Sequence, residues 1–449
     1  MKKLIWILCI LVIPLTSCDT NLDEIDFWED WGEGENNENW EEIPEPATQP
    51  EPQNTIAPPL DLPSKIDKWD LWTHGTQLRG ANTWQRVISP RYDGEDFLGS
   101  GHVGPPYTQE DFNKLAAQGA NYVNFSHPGL FTERPPYRLD PLVEANLDNM
   151  IAMAANADLF VVITFRTGPG RNDFTFYRDD NWFKKKDLIE NIWEDTDAQA
   201  AWAEMWQYTA ERYRNNPVVI GYDLMCEPNS NEILDEWDQD QFETRYGGTT
   251  YDWNAWYPNL VTAIRQVDPD TPILVGGNAY SALDWLPYIK TINADRIIYM
   301  FHQYAPFMFT HQDPDENLTY PGQFDTDYDG EKENFNRTWL EEFLSIAEDF
   351  ANQNGVVVAV NEYGVDRWVT GSAAFMDDQM AIFEELGINY ALWIWDPVWQ
   401  PWNDEVNSMN FRYGPVPENT TSTPNDLQSI IQKYWSLNTV HPSDFYMEE

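Results

Sequence analysis

VVIGYDLMCEPNSNE, residues 218–232, is an apolar run that breaks on a carboxylate, with Glu227 followed at once by Pro228. A continuous apolar stretch of this length reads as a strand buried on both faces, and a charged side chain at its end has no packing reason to be there. VVVAVNEYG, residues 356–364, repeats the pattern and delivers Glu362. Outward from these two, further β-rich runs stand at 78–84, 121–126, 159–165, 272–276, 296–302 and 389–395, which makes eight strand candidates. Amphipathic segments separate them. Thr108-Gln-Glu-Asp opens FNKLAAQ and Gly119 closes it; Asp197 opens a long helix that stops before Pro217; others run over 140–156, 252–267, 283–292, 334–352, 372–386 and 424–437. Eight strands alternating with eight helices predict one α/β domain, a (β/α)8 barrel (TIM barrel) with long βα loops, over residues 64–449. A doubly wound open sheet is the alternative, but no G-x-G-x-x-G or G-x-x-x-x-G-K-[ST] motif follows the first strand.

The 449 residues carry 75 Asp plus Glu against 27 Lys plus Arg, a formal charge of -48, which repels nucleic acid and anionic membrane surfaces. The first 17 residues, MKKLIWILCILVIPLTS, have the basic start, short apolar run and small polar end of a cleaved secretory signal, too short to span a bilayer. Leu15-Thr16-Ser17-Cys18 resembles the lipobox of bacterial lipoproteins, which implies lipidation at Cys18 and an extracytoplasmic, outer-membrane address on the cell surface or periplasmic face. An ordinary secreted protein is the other reading. Residues 18–63 hold fourteen acidic residues and no Lys or Arg, the composition of a disordered tether. Contact with the membrane is expected through the N-terminal lipid only, and the chain is expected to be monomeric. The three cysteines, Cys9, Cys18 and Cys226, form no disulfide framework.

In a barrel of this kind the chemistry collects where strands end and βα loops begin. Those loops, roughly 85–107, 167–196, 228–251, 303–333 and 396–423, carry Trp182, Trp193, Trp237, Tyr246, Phe307, Trp399 and Trp402, flat faces that suit the apolar C–H sides of sugar rings. Glu227 and Glu362 in one mouth suit glycoside cleavage with retention, one carboxyl protonating the leaving oxygen while the other attacks the anomeric carbon. Burial and mutual repulsion should raise the pKa of one of the two.

The chain resembles the retaining glycoside hydrolases of clan A, most closely glycoside hydrolase family 5. The resemblance rests on Arg79-Gly-Ala-Asn82, Glu227-Pro228, His302-Gln303-Tyr304, Asn361-Glu362-Tyr363-Gly364 and Trp393 or Trp395 in the eighth strand. It implies that Glu227 is the acid/base, Glu362 the nucleophile, Tyr304 a hydrogen-bond partner of the nucleophile and His302 a border of the sugar subsite. It further implies a strand-eight Trp as platform, with Trp393 preferred and Trp395 expected on the same face. Arg79, Asn82, Asn124, His127 and Arg166 complete the expected substrate contacts, His127 being equally readable as a structural histidine.

Three positions depart from the family pattern. Asn124 stands where the second strand usually carries Arg, Arg166 where the third usually ends in His, and Cys226 where Asn usually precedes the acid/base. Arg166 or Arg171 in FRTGPGR is the candidate replacement for the missing cation. Cys226 reads as a small apolar substitute, since the carboxylate beside it disfavours thiolate. No metal site is expected, and no cofactor. Asp325, Asp327 and Asp329 in QFDTDYDGE resemble a calcium loop, but neither a full D-x-[DN]-x-[DN]-G loop nor a helix pair is expected there, and a solvated acidic loop is the reading. The reading is a hydrolase that cleaves a carbohydrate, expected to be a β-linked oligo- or polysaccharide. A glycan-binding protein on a degenerate barrel and a transglycosylase remain as alternatives.

Overall fold

A computed structural model describes residues 67–87, 89, 91–93, 102–395 and 408–445. The signal segment, the acidic tether, Cys18, Trp399 and Trp402 lie outside the described residues. Eight parallel strands close into a barrel: β1 (Arg79–Trp84), β2 (Tyr122–Pro128), β3 (Phe160–Thr167), β4 (Val219–Asp223), β5 (Ile273–Val275), β6 (Ile297–Gln303), β7 (Val357–Tyr363) and β8 (Asn389–Leu392), each paired with its neighbours in sequence and β8 with β1. All eight expected strands are present. The expected helices appear as α1 (Gln109–Ala117), α2 (Pro141–Asn156), α3 (Thr196–Tyr213), α4 (Trp253–Arg265), α5 (Arg337–Asn354), α6 (Ser372–Leu386) and α7 (Asp426–Trp435). Between β5 and β6 the chain makes only a 3-10 turn, Leu283–Tyr288, with Pro287 inside it. Among the described residues no helix is long and apolar enough to cross a membrane.

The start signals at α1 and α2 act as read, while α3 is capped by Asp195, two residues before the Asp197 expected from the sequence. Thr108 and Asp111 form a capping box at α1, and Asp140 accepts from the Leu142 and Val143 amides ahead of α2. Side chains facing outward from the strands join the helices in one large apolar shell. The barrel interior is layered. Its floor is apolar, built from Phe160, Val162, Ile220, Leu274, Ile298 and Met300 and stoppered by Trp72, whose indole donates to the Ile220 carbonyl. Above the floor lie Asn82, Asn124, Thr164, Asp223 and Asn361, all buried and joined by hydrogen bonds. The upper layer, at the strands' C-terminal ends, holds Glu227, His302 and Glu362.

Candidate active site

Register brings the two carboxylates together. His302 on β6 pairs with Glu362 on β7, and the register shifts between Val360 and Glu362 so that Asn361 is the extra residue of a bulge. A bulge turns two successive side chains to one face. Asn361 therefore reaches down to Asp223, with Nδ2 2.7 Å from Oδ2, while Glu362 faces the mouth. Glu227 comes from beyond the end of β4 in the left-handed region, at φ 55°. That conformation costs a non-glycine residue about 1 kcal/mol or more. It is held by Arg171, fully buried, whose guanidinium donates to the Cys226 carbonyl at 2.7 Å and the Glu227 carbonyl at 2.8 Å. Gly364 completes the local requirement, since a Cβ there would lie 2.7 Å from the Trp393 carbonyl oxygen.

His302 Nδ1 sits 2.9 Å from Glu227 Oε1 and 3.4 Å from Glu362 Oε2. One oxygen of each carboxyl lies within 4.8 Å of the other. Retaining glycosidases place their carboxyls roughly 5 to 5.5 Å apart and inverting ones roughly 6.5 Å or more, so an oxygen–oxygen approach this close accords with the retaining arrangement. Tyr304 donates to Glu362 Oε2 at 3.1 Å. Burial, reinforced by the charge of Glu227, pushes Glu362 up to about 7, against the lowering pull of His302, Arg166 and Tyr304. Burial disfavours the charged form of His302, but Glu362 and Glu227 outweigh it and hold the imidazole above its ordinary value. The expected upward push thus falls on Glu362, the more deeply buried of the pair.

Arg166, at the end of β3, is buried and donates from Nε to Asp173 Oδ1 at 2.6 Å. Its guanidinium lies over Phe176 at 3.7 Å and 5.8 Å from the Trp393 ring. Cys226 is fully buried, with Sγ 3.8 Å from both Arg166 Nη1 and Glu362 Oε1. Burial pushes its thiol well above the usual value, so the sulfur remains protonated. Trp393 is buried in a cluster with Trp84, Ile394 and Met409 against which Tyr304 packs.

Several expected contacts are corrected. Arg79 opens β1 at the end of the barrel away from the mouth, where Nε and Nη2 form a two-pronged pair with Glu384 at 2.6 Å each and Nη1 reaches Asn438. Asn82 and Asn124 lie one layer below the carboxylates, fully buried, with their amides spent on each other and on the barrel wall. His127 is buried with both ring nitrogens engaged, Nδ1 with the Pro128 carbonyl at 2.7 Å and Nε2 with the Asn146 amide at 2.9 Å; burial pushes it down to about 4. Trp395 joins the outer shell, where its indole donates to the Asp111 carbonyl. It parts from Trp393 because β8 ends at Leu392, and strand alternation does not govern residues beyond that end. Trp193 is core. Trp182 and Phe307 are 45% and 47% exposed, while Trp237 and Tyr246 pack with Phe242 and Trp285.

The sequence reading missed Asp223, although a carboxylate inside the apolar run VVIGYDLM is the very signal that marked Glu227. Among the described residues, two groups have oxygen or nitrogen atoms close enough to share an ion: Glu227 with His302 and Glu362, and Asp325 with Asp327 and Glu333. The second lies in the loop between two short antiparallel strands, Gly322–Phe324 and Glu333–Phe335, and it corrects the expectation, since Asp325 to Gly330 do complete a D-x-D-x-D-G spacing. Backbone amides of Asp327, Asp329 and Gly330 bond to Asp325 there.

Fold and site together define a class: a (β/α)8 enzyme with paired carboxylates at the C-terminal mouth of its barrel. The cellulase pattern of glycosyl hydrolase family 5 matches residues 73–398, and the chain belongs to that family and is a glycoside hydrolase. Endoglucanase C of Acetivibrio thermocellus is 26% identical over 320 residues, covering 65% of this chain and 84% of that protein. Cellodextrinase A of Ruminococcus flavefaciens is 29% identical over 165 residues, 36% of this chain and 43% of that one. Among solved structures, endoglucanase Cel5A of Thermotoga maritima matches in fold with a TM-score of 0.56 at 16% identity, covering 82% of this chain and 100% of that one.

Proposed function

We propose that the protein hydrolyses β-linked glucan or a related β-glycan by double displacement. Glu362 attacks the anomeric carbon while Glu227 protonates the departing oxygen; Glu227 then takes a proton from the water that releases the glycosyl-enzyme. The observation that carries this is the sub-4.8 Å approach of Glu227 and Glu362 across His302. His302 holds one oxygen of each carboxyl, and the Tyr304 hydroxyl steadies the ionised form of Glu362. Arg166 supplies the cation beside the carboxylates that the second strand, with Asn124, does not. The substrate assignment draws on the relatives named as endoglucanases and a cellodextrinase. A signal cut before Cys18, with lipid on that residue, would hold the enzyme at the outer membrane on its acidic tether; Cys18→Ala should then move it from the membrane to the soluble fraction.

Reducing-sugar release by the full chain across β-glucans, mannans, xylans and galactans, with Glu362→Ala alongside, tests the reading. Release from one class that vanishes in the variant supports it. Binding to a glycan without release at any pH overturns it in favour of a binding protein, and products longer than the substrate would mark a transglycosylase.

A further inference from the structure

A one-way chain of hydrogen bonds runs across the middle layer of the barrel. It begins at backbone carbonyls, which only accept: Asn82 Nδ2 lies 2.9 Å from the Asn361 oxygen, 3.3 Å from that of Ala391 and 3.4 Å from that of Leu392. Three acceptors around one atom fix it as the amide nitrogen, so Asn82 Oδ1 faces Asn124 and receives the Asn124 Nδ2 proton at 2.5 Å. Asn124 Oδ1 is thereby an acceptor as well, and the group it meets at 2.7 Å is the Thr164 hydroxyl. A hydroxyl carries a single proton. Thr164 Oγ1 also lies 3.0 Å from Asp223 Oδ2. With its proton committed to Asn124, Thr164 meets that carboxyl oxygen with a lone pair, and the contact is attractive only if the proton comes from the carboxyl side. Turning Asn124 over to free the Thr164 proton would set two amide oxygens 2.5 Å apart, and turning Asn82 as well would set its oxygen against three carbonyls.

We infer that Asp223 is held as a neutral carboxylic acid with its proton on Oδ2, and that it is a positioning residue for Glu362. The same Oδ2 receives the Asn361 amide at 2.7 Å, and the Asn361 carbonyl is bonded to Asn82. The residue immediately before Glu362 is therefore tied at its side chain and at its backbone to one network. Asp223 is fully buried, and charged or titratable groups reach it from three sides: His302 on β6, Glu362 on β7 and Cys226 beyond β4, with Glu227 and Arg166 of β3 beside Cys226. Burial pushes its carboxyl up to about 7 against the lowering pull of the His302 charge, and a bond donated to Thr164 favours the neutral form further. A neutral Asp223 spares the mouth a third negative charge beneath Glu227 and Glu362. The protonation state stands on bond directions alone; its consequence for Glu362 rests on the proposed function.

Asparagine mimics the neutral acid: its two amide protons serve Thr164 and, after a turn of the Asn361 amide, the Asn361 oxygen. The test is thermal unfolding of the full chain, wild type against Asp223→Asn, from pH 5 to 8. A folded acid whose pKa is raised keeps a proton that the unfolded chain releases, so wild type loses stability as pH climbs from about 4 towards 7. The melting temperature of Asp223→Asn relative to wild type should therefore rise with pH. A relative melting temperature that stays level or falls with pH would show that the anion is the native form and overturn the inference. Should the variant not fold, Thr164→Val decides: if Asp223 donates, its cost falls as pH rises through about 7 and the proton leaves, whereas a cost that stays level or grows from pH 5 to 8 would show an anion that Thr164 serves and overturn the inference. In activity, Asp223→Asn should keep kcat/KM at pH 6 within about threefold, and Asp223→Ala should lower kcat with little change in KM. A hundredfold loss in Asp223→Asn at pH 6 with unchanged KM would show that the charge itself is required, and would overturn the neutral role.

Discussion

The two sides of the barrel mouth are built on different terms. On the β6 and β7 side, His302, Tyr304 and Glu362 stand where the family pattern expects them, and Glu227 joins them across His302. On the β2 and β3 side, Asn124 has sunk into the layer below, His127 has become a buried strut, and the cations come from Arg166 and from Arg171 in the following loop. The difference stems from what each side has to hold. Two carboxyls a few ångströms apart need fixed backbone, here the direct register pairing of His302 with Glu362 and the left-handed turn at Glu227. A guanidinium acts over several ångströms and its long stem can start from many places. Geometry is therefore pinned where covalent chemistry is expected and portable where only charge is needed.

The sharpest way to break the comparison is to remove a pinned group. Glu362→Ala should lower kcat by about 10^4-fold or more, and Glu227→Ala should cost most on substrates with poor leaving groups and little on activated aryl glycosides, whose departure needs no proton. Steady-state kinetics on natural and aryl substrates check both. Equal losses for the two variants on an aryl substrate would reverse or dissolve the assignment of roles.

A portable group should fail more gently. Arg166→Ala should cost about 10- to 100-fold in kcat/KM, and Arg166→Lys less, because the charge survives while the fork to Asp173 does not. The guanidinium lowers the pKa of Glu362. Its removal raises that pKa, and as the nucleophile acts ionised, the acidic limb of the pH–rate profile should move to higher pH. An unmoved limb would show that Arg166 serves only to pack the loop.

The eight strands were legible because buried parallel strands are continuous apolar runs, and Glu227 and Glu362 because they interrupt two of them. What could not be read were departures from strict alternation. The bulge at Asn361 leaves no mark in VVVAVNEYG, and the end of β8 at Leu392 is invisible in NYALWIW, so Trp395 was placed beside Trp393 when it belongs to the outer shell. Depth along a strand was equally hidden. Asn82 and Asn124 have the composition of sugar contacts and lie one layer too low, and Asp223 showed the right signal in a position where no substrate reaches.

His127 separates structure from chemistry on the rebuilt side. Its folded pKa of about 4 lies below the ordinary histidine value of 6.5, so between those pH values the unfolded chain binds a proton that the folded one refuses. The resulting stability is complete above pH 6.5 and is lost as pH falls towards 4, by up to about 3 kcal/mol from this group. His127→Gln should flatten that part of the acid-unfolding curve, measured by denaturant titration at successive pH values, and leave KM nearly unchanged at pH 7. A large rise in KM would return His127 to the substrate.

Arg79 should move activity least of all. Its pairing with Glu384 ties the start of β1 to α6 at the closed end of the barrel, far from the layer where Glu227 and Glu362 meet. Arg79→Met keeps the stem and leaves Glu384, itself partly exposed, to water, so the expected cost is stability alone, about 2 kcal/mol by urea unfolding. The kcat and KM of the folded variant should match those of wild type. If kcat fell in step with stability, the closed end and the mouth would be coupled through the packed interior. The contrast would then no longer be between a pinned side and a portable one but between a barrel that transmits strain along its strands and one that does not.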